Sequence, residues 1–147
     1  MTYQVTVTDA TARPTAVIAA TTTWQEFPTL WKELLDEVWT CLRAAGIHHG
    51  CRNIMLYHDD VPHIEIGVEL PHPCPLTGRV VPSTLPAGRA ATTVHRGPYT
   101  GLASAHQAVL TWCTTQDLQP LGPRWEIYGP HHDDPTKTQT EVHWLLP

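Results

Sequence analysis

Along this chain the spacing of hydrophobic and polar positions switches between two periods, in an order that occurs twice. From Thr15 to Thr23 the string TAVIAATTT is small and β-branched, which predicts a strand. A proline at position 28 then suits a helix start. Leu30, Trp31, Leu34, Leu35, Val38, Trp39 and Leu42 recur at helical spacing and Gly46 stands where a left-handed cap belongs, so the helix is expected from about Pro28 to Gly46. Two strand-like runs follow, Asn53 to Tyr57 and His63 to Leu70, joined by the turn-forming His58-Asp59-Asp60-Val61-Pro62. In the second run Ile64, Ile66, Val68 and Leu70 alternate with Glu65, Gly67 and Glu69, the period of a sheet buried on one face. Ile54 and Leu56 are expected to share that buried face, with Met55 and Tyr57 pointing away.

The same order returns after a proline-rich connector, residues 71–87, which carries a short extended piece around Arg79 to Pro82. Gly88 to Arg96 is again small and β-branched, and Gly97-Pro98-Tyr99-Thr100 supplies a turn and a helix start. Leu102, Ala105, Val109, Leu110 and Cys113 mark a second amphipathic helix. Arg124 to Gly129 and Thr140 to Leu146 then form a closing hairpin, with His131, His132, Asp133, Asp134 and Pro135 in its loop. The expected fold class is therefore α+β. It consists of two tandem β-α-β-β repeats in a pseudo-two-fold arrangement, with a mainly antiparallel sheet, two helices on one face and a ligand groove on the other. One domain over residues 1–147 is expected, with halves of about 13–70 and 88–147.

Strand parity nominates the residues of that groove. With Trp125, Ile127, Val142, Trp144 and Leu146 taken as meeting the helices, Glu126, Tyr128, Glu141, His143 and Leu145 point to the opposite side. The same parity puts Met55, Tyr57, Glu65 and Gly67 there in the first half. Two aromatic side chains and up to three carboxylates would then converge where two half-sheets curve together, giving a concave site with an apolar wall and a negative charge.

Composition narrows the partners. Hydrophobic residues make up 41% and charged residues 16% of the 147, enough for one sizeable core. Fourteen acidic against nine basic residues, a formal charge of -5 without a Lys/Arg cluster, argue against nucleic acid and against an anionic membrane surface. No apolar run approaches the roughly 20 residues of a membrane span, and Met1 to Ala10 lacks the pattern of a secretory signal, so the expected address is the cytoplasm. Cys41, Cys51, Cys74 and Cys113 form no C-x-x-C unit and are expected to be reduced, buried thiols. His48-His49-x-Cys51, His58 to His63, His72-x-Cys74 and His131-His132-Asp133 all fall in or beside turns. None reproduces the spacing of a structural zinc site, so neither a metal nor another cofactor is expected. His95 is expected to support the turn at Gly97-Pro98, and Trp31, Trp39 and Trp112 to pack in the helix stripes.

Three strings carry a resemblance: His95-Arg96-Gly97-Pro98-Tyr99 before the second helix, Trp125-Glu126-Ile127-Tyr128 on the strand after it, and Asp134-Pro135 followed by Thr140-Glu141-Val142. In order and spacing they resemble the GyrI-like small-molecule-binding family, related to effector-binding domains of multidrug-sensing transcription activators. The likeness runs from about Arg13 to Pro147. It implies a pseudo-symmetric fold with a ligand groove on the two-fold axis, in which a glutamate on the strand after the second helix faces aromatic side chains. Carried to this sequence, that glutamate is Glu126, with Tyr128, Tyr57 and His143 as its neighbours. The stretch read here shows no appended DNA-binding domain, so the expected partner is a small organic molecule and not nucleic acid.

A carboxylate in an apolar, aromatic groove attracts a cation, because Coulomb and cation-π attraction both strengthen where water is excluded. The leading expectation is binding or sequestration of a small aromatic or cationic molecule, with Glu126 as counter-charge and Tyr57, Tyr128, His143, Met55 and Glu65 around it. The alternative is a hydrolase that detoxifies a reactive small molecule, Glu126 serving as general acid or base and Tyr128 positioning a water. The resemblance permits that chemistry, but the chain shows no nucleophile motif, oxyanion motif or phosphate loop. A protein-interaction or inhibitor module, with a protein partner or a second copy of the chain, is the third class.

Overall fold

Helix α1, Phe27–Ala44, forms because Leu34, Val38 and Leu42 fall four residues apart on one stripe, and each is no more than 2% exposed. Burying an aliphatic side chain of this size contributes about 1.5–3 kcal/mol, more than the propensity of any single residue in the helix. Pro28 sits in its first turn, and Gly46, at φ +88°, turns the chain away after its end. Helix α2, Leu102–Thr115, repeats the device with Ala105, Val109 and Cys113. These residues are described by a computed structural model covering residues 2–147.

Eight strands build one antiparallel sheet: β1 Thr6–Ala10, β2 Arg13–Thr21, β3 Asn53–Tyr57, β4 His63–Glu69, β5 Val81–Leu85, β6 Gly88–Arg96, β7 Arg124–Tyr128 and β8 Gln139–Leu145. Their spatial order is β1-β6-β8-β7-β3-β4-β2-β5. Outward from the β7–β3 junction the strands run β7, β8, β6, β1 on one side and β3, β4, β2, β5 on the other, so the two predicted β-α-β-β series lie side by side. Each series gains an outer strand. β5 overlaps the extended piece expected around Arg79 to Pro82 and pairs with β2. β1, which pairs with β6, falls where no strand was expected. Its residues are almost all exposed, so no alternation marks it.

Cross-strand partners share a face, so one row of partners fixes the layers. That row runs Ile18, Ile66, Met55, Glu126, Val142, Thr93. Ile18 and Ile66 pack with Leu34, Val38 and Leu42 of α1, while Val142 packs with Ala105, Val109 and Cys113 of α2. Both helices therefore cover the same face. On the other face Val17, Ile54, Leu56, Leu85, Ala90, Trp125 and Ile127 are all 2% exposed or less, although no helix covers them. They bury one another because the sheet curls into a half-barrel.

The register corrects the expected parity of the two central strands. Trp125 and Ile127 lie in the half-barrel interior, not against the helices, and Ile54 and Leu56 join them there. Met55 and Tyr57 instead pack on the α1 side with Ile64, Ile66 and Val68. Strands β4 and β8 keep the faces their alternation predicts. The four cysteines are unpaired thiols, but only Cys113 is fully buried. No helix among the described residues is long and apolar enough to cross a membrane.

Candidate functional site

Glu126 stands at the middle of β7, on the helix-bearing face, and is 4% exposed. A carboxylate in such a place needs partners, because an ionised group out of water is costly unless it is hydrogen-bonded. Three are present. Tyr128, two residues along the same strand, and Tyr57, at the end of the adjoining β3, both donate their hydroxyls to Oε1, Tyr57 at 3.4 Å. His106, reaching down from α2, holds Oε2 at 2.6 Å through Nε2. Burial first, and then the charge of Glu126, push both tyrosines above the usual phenol range, so both remain protonated donors. Among the described residues no Lys or Arg nitrogen lies within 4 Å of this carboxylate.

Beside Glu126 a cavity of about 520 Å³ opens between the two helices. Phe27, Trp31 and Leu35 of α1 form one wall, Tyr99 and Leu102 the other, and Met55 lies on the floor. Tyr99 meets Tyr128 edge-on with ring centroids 5.6 Å apart, which fixes the phenol that holds Glu126. Phe27 packs on Tyr57 in a tilted pair with centroids also 5.6 Å apart. The size is that of sites for drug-sized molecules, and the lining is of the usual kind, apolar and aromatic with a few convergent polar groups.

The six nominated residues separate into two places. Met55, Tyr57, Glu126 and Tyr128 come together at this cavity. Glu65 and His143 do not, because they lie on the opposite face of the sheet. There His143 stacks on Trp125 at 5.2 Å and its Nε2 bonds Glu141 at 3.0 Å, beside a second recess of about 390 Å³ that also contains Arg52. The face away from the helices thus has a groove, as expected, but the acid flanked by tyrosines is not in it. His143→Gln and Glu65→Gln are accordingly expected to leave the interhelical cavity and the hydrogen bonds to Glu126 unchanged.

Sequence reasoning missed Trp31 and Tyr99 as cavity residues and His106 as a partner of Glu126. His106 carried a usable signal: Leu102, His106, Val109 and Cys113 fall on one helical stripe, so a polar ring was directed at the sheet. Trp31 was expected only to pack, and it does so while also lining the cavity. Trp24 is half in solvent, bonds the Asp60 carbonyl through its indole at 2.9 Å and leans on Tyr57. His95 has the supporting role expected of it, with Nε2 2.8 Å from the Pro98 carbonyl.

A chain of ion pairs runs from the edge of the recess on the far face. Arg52 bonds Glu69 and Glu141, and Arg13 bonds Glu69. The hydrogen bond from His143, then its charge and that of Arg52, hold the Glu141 carboxyl down to about 2 from an ordinary 4.5. Because the folded value is the lower one, the unfolded chain takes up protons first as pH falls. The stabilisation from Glu141 is therefore complete above about pH 4.5 and lost on the way down to about pH 2. Glu141→Gln should flatten the fall of Tm across that window, as measured by thermal unfolding at a series of pH values.

The fold matches the C-terminal domain of EcmrR with a TM-score of 0.81 at 17% identity, over 100% of this chain and 99% of that one. SAV2435 bound to tetraphenylphosphonium matches with a TM-score of 0.70 at 13% identity, over 100% of this chain and 94% of that one. A hydrolase from Listeria innocua matches with a TM-score of 0.65 at 10% identity, over 98% and 92%. No curated protein matches the sequence significantly. A family model for the GyrI-like small molecule binding domain matches residues 3–146, and the chain belongs to that family.

Proposed function

We propose that this protein is a cytoplasmic binding or sequestering protein for lipophilic organic cations, which it holds in the interhelical cavity with Glu126 as counter-charge. One observation carries the reading. A carboxylate 4% exposed, bonded by Tyr57, Tyr128 and His106 and with no Lys or Arg within 4 Å, stands beside an aromatic-walled cavity of about 520 Å³. A carboxylate that had a fixed cation beside it would have no need of another. The aromatic walls and a carboxylate that is itself shielded from water give an aromatic cation both Coulomb and cation-π attraction. The whole chain acts as one binding unit in this reading, because α1 and β3 come from one half and α2 and β7 from the other. A neighbour of the same fold holds tetraphenylphosphonium, which makes that cation a suitable probe.

Fluorescence titration tests this, since Trp31 in the cavity wall reports occupancy. Tetraphenylphosphonium should change the emission saturably with one site per chain, and a linear, unsaturable response would count against the reading. A hydrolytic reading draws on the same carboxylate with two phenols and an imidazole bonded to it, a set able to move protons. It is decided by product analysis with reactive electrophiles. Turnover that Glu126→Gln abolishes while affinity survives would establish the hydrolase; binding without product leaves a receptor or sink.

A further inference from the structure

Whether the negative charge of Glu126 reaches the cavity depends on the protonation of His106, the one partner of Glu126 that can itself carry a positive charge. His106 Nε2 is 2.6 Å from Oε2, a contact that fits either a neutral ring donating one hydrogen or an imidazolium forming an ion pair. The first leaves a net charge of -1 to face the cavity. The second cancels it. The other ring nitrogen distinguishes the two, because the indole N–H of Trp144 on β8 lies 3.0 Å from Nδ1. An indole N–H can only donate, so Nδ1 must accept and can carry no hydrogen. The single ring hydrogen is then on Nε2, where it is given to Glu126.

We propose that Trp144 is a positioning residue that sets the charge of the cavity: its bond to Nδ1 holds His106 as the neutral Nε2–H tautomer, so that Glu126 stays free to pair with a cationic ligand. A second observation supports it. The guanidinium carbon of Arg124 lies 4.9 Å from the Trp144 ring centroid, while its nitrogens bond Asp60 and the Gly122 carbonyl. This cation-π contact holds the indole in the orientation from which its N–H reaches Nδ1. The remaining groups facing His106 are Glu126 and Tyr128 on β7 and, across the carboxylate, Tyr57 on β3; the two phenols are donors to Glu126 and carry no charge. Neither His106 nor Trp144 touches the cavity in the way its lining residues do. The relay acts through Glu126, and it would protect cation binding from mild acid.

This inference rests on the cation-binding reading, so its test includes a measurement that needs no ligand. Ring 15N spectra of His106 in the wild type should show the neutral Nε2–H tautomer from about pH 8 to about pH 6, the range in which histidine normally changes charge. Trp144→Phe should show the doubly protonated ring at the acid end. With tetraphenylphosphonium, wild-type affinity should change less than about twofold over that range, and that of Trp144→Phe should fall about tenfold or more at the acid end. Adding His106→Gln, which keeps a neutral donor and cannot titrate, should abolish that pH dependence. A doubly protonated His106 in the wild type would overturn the proposal. So would a flat profile in Trp144→Phe, or a His106→Gln single variant that binds the cation about tenfold more tightly, since that would mean an imidazolium had been cancelling Glu126. If the spectra are as expected but no cation binds, the relay stands and the cation-binding reading fails.

Discussion

Glu126→Gln should weaken tetraphenylphosphonium binding by about thirtyfold or more while changing the protein's stability little. Removing one partner of a desolvated charge pair costs at least about 2 kcal/mol, and every 1.4 kcal/mol is about tenfold in affinity. Glutamine preserves the shape and its amide oxygen can still accept from the Tyr57 and Tyr128 hydroxyls, while its amide nitrogen would face the His106 Nε2–H and forfeit that one hydrogen bond, so the loss of affinity reports charge and not a collapsed cavity. In the free protein the substitution removes a carboxylate that is 4% exposed and has no Lys or Arg within 4 Å. Keeping such a group buried costs stability, and binding sites commonly trade stability for function in this way. The gain from removing it is offset by the lost His106 hydrogen bond, so Tm should shift by only a few degrees while affinity falls steeply, a disproportion that a collapsed cavity cannot produce. Calorimetric titration and thermal unfolding of the same sample measure both.

Gly67→Ala carries the largest expected effect on folding. Gly67 pairs with Val17 on β2 and with Ile54 on β3, inside the curled sheet. A Cβ built there would stand 1.8 Å from the Ala16 carbonyl oxygen and 2.8 Å from the Val17 Cα. The obstruction is backbone, not a side chain that can swing aside, so β2 would have to leave β4. Its loss would uncover Val17 on one face and Ala16 and Ile18 on the other, each 2% exposed or less. A destabilisation of about 3 kcal/mol or more is expected. For a chain of this size that lowers Tm by about 10 °C, and much of the variant should be insoluble on expression. A Tm within a few degrees of wild type would show that the sheet uncurls at little cost and that the tight β2–β4 approach is not needed for the half-barrel.

What could be read from the sequence follows from where each element is half-exposed. The two helices announced themselves because each presents one face to the sheet and the other to solvent. Strand β4 did so because Ile64, Ile66 and Val68 alternate with partly exposed Glu65 and Glu69. Strands β3 and β7 offered no such contrast. From Ile54 to Tyr57 and from Arg124 to Ile127 every residue is buried, one face under the helices and the other inside the half-barrel. With no period to follow, a shift of one residue reverses both strands, and the expected parity made that shift. Glu126, Tyr128, Tyr57 and Met55 remained together because all four reversed together. Glu65 and His143, on the strands read correctly, were left on the other side. Strand β1 was lost for the opposite reason, being almost wholly exposed. His106 went unnoticed because a polar residue in an apolar stripe reads as a packing irregularity until its partner on another element is known.

The proposed function depends on one charge in one cavity, and two ions of the same shape test it most directly. Tetraphenylphosphonium and tetraphenylborate differ chiefly in sign, so shape and apolar contact are common to both and only the interaction with Glu126 changes. Titrated calorimetrically into wild type, the cation should bind and the anion should not; in Glu126→Gln the difference between them should shrink as the cation weakens. Equal binding of both ions by the wild type, or a preference that survives Glu126→Gln unchanged, would contradict the assignment of Glu126 as the counter-charge.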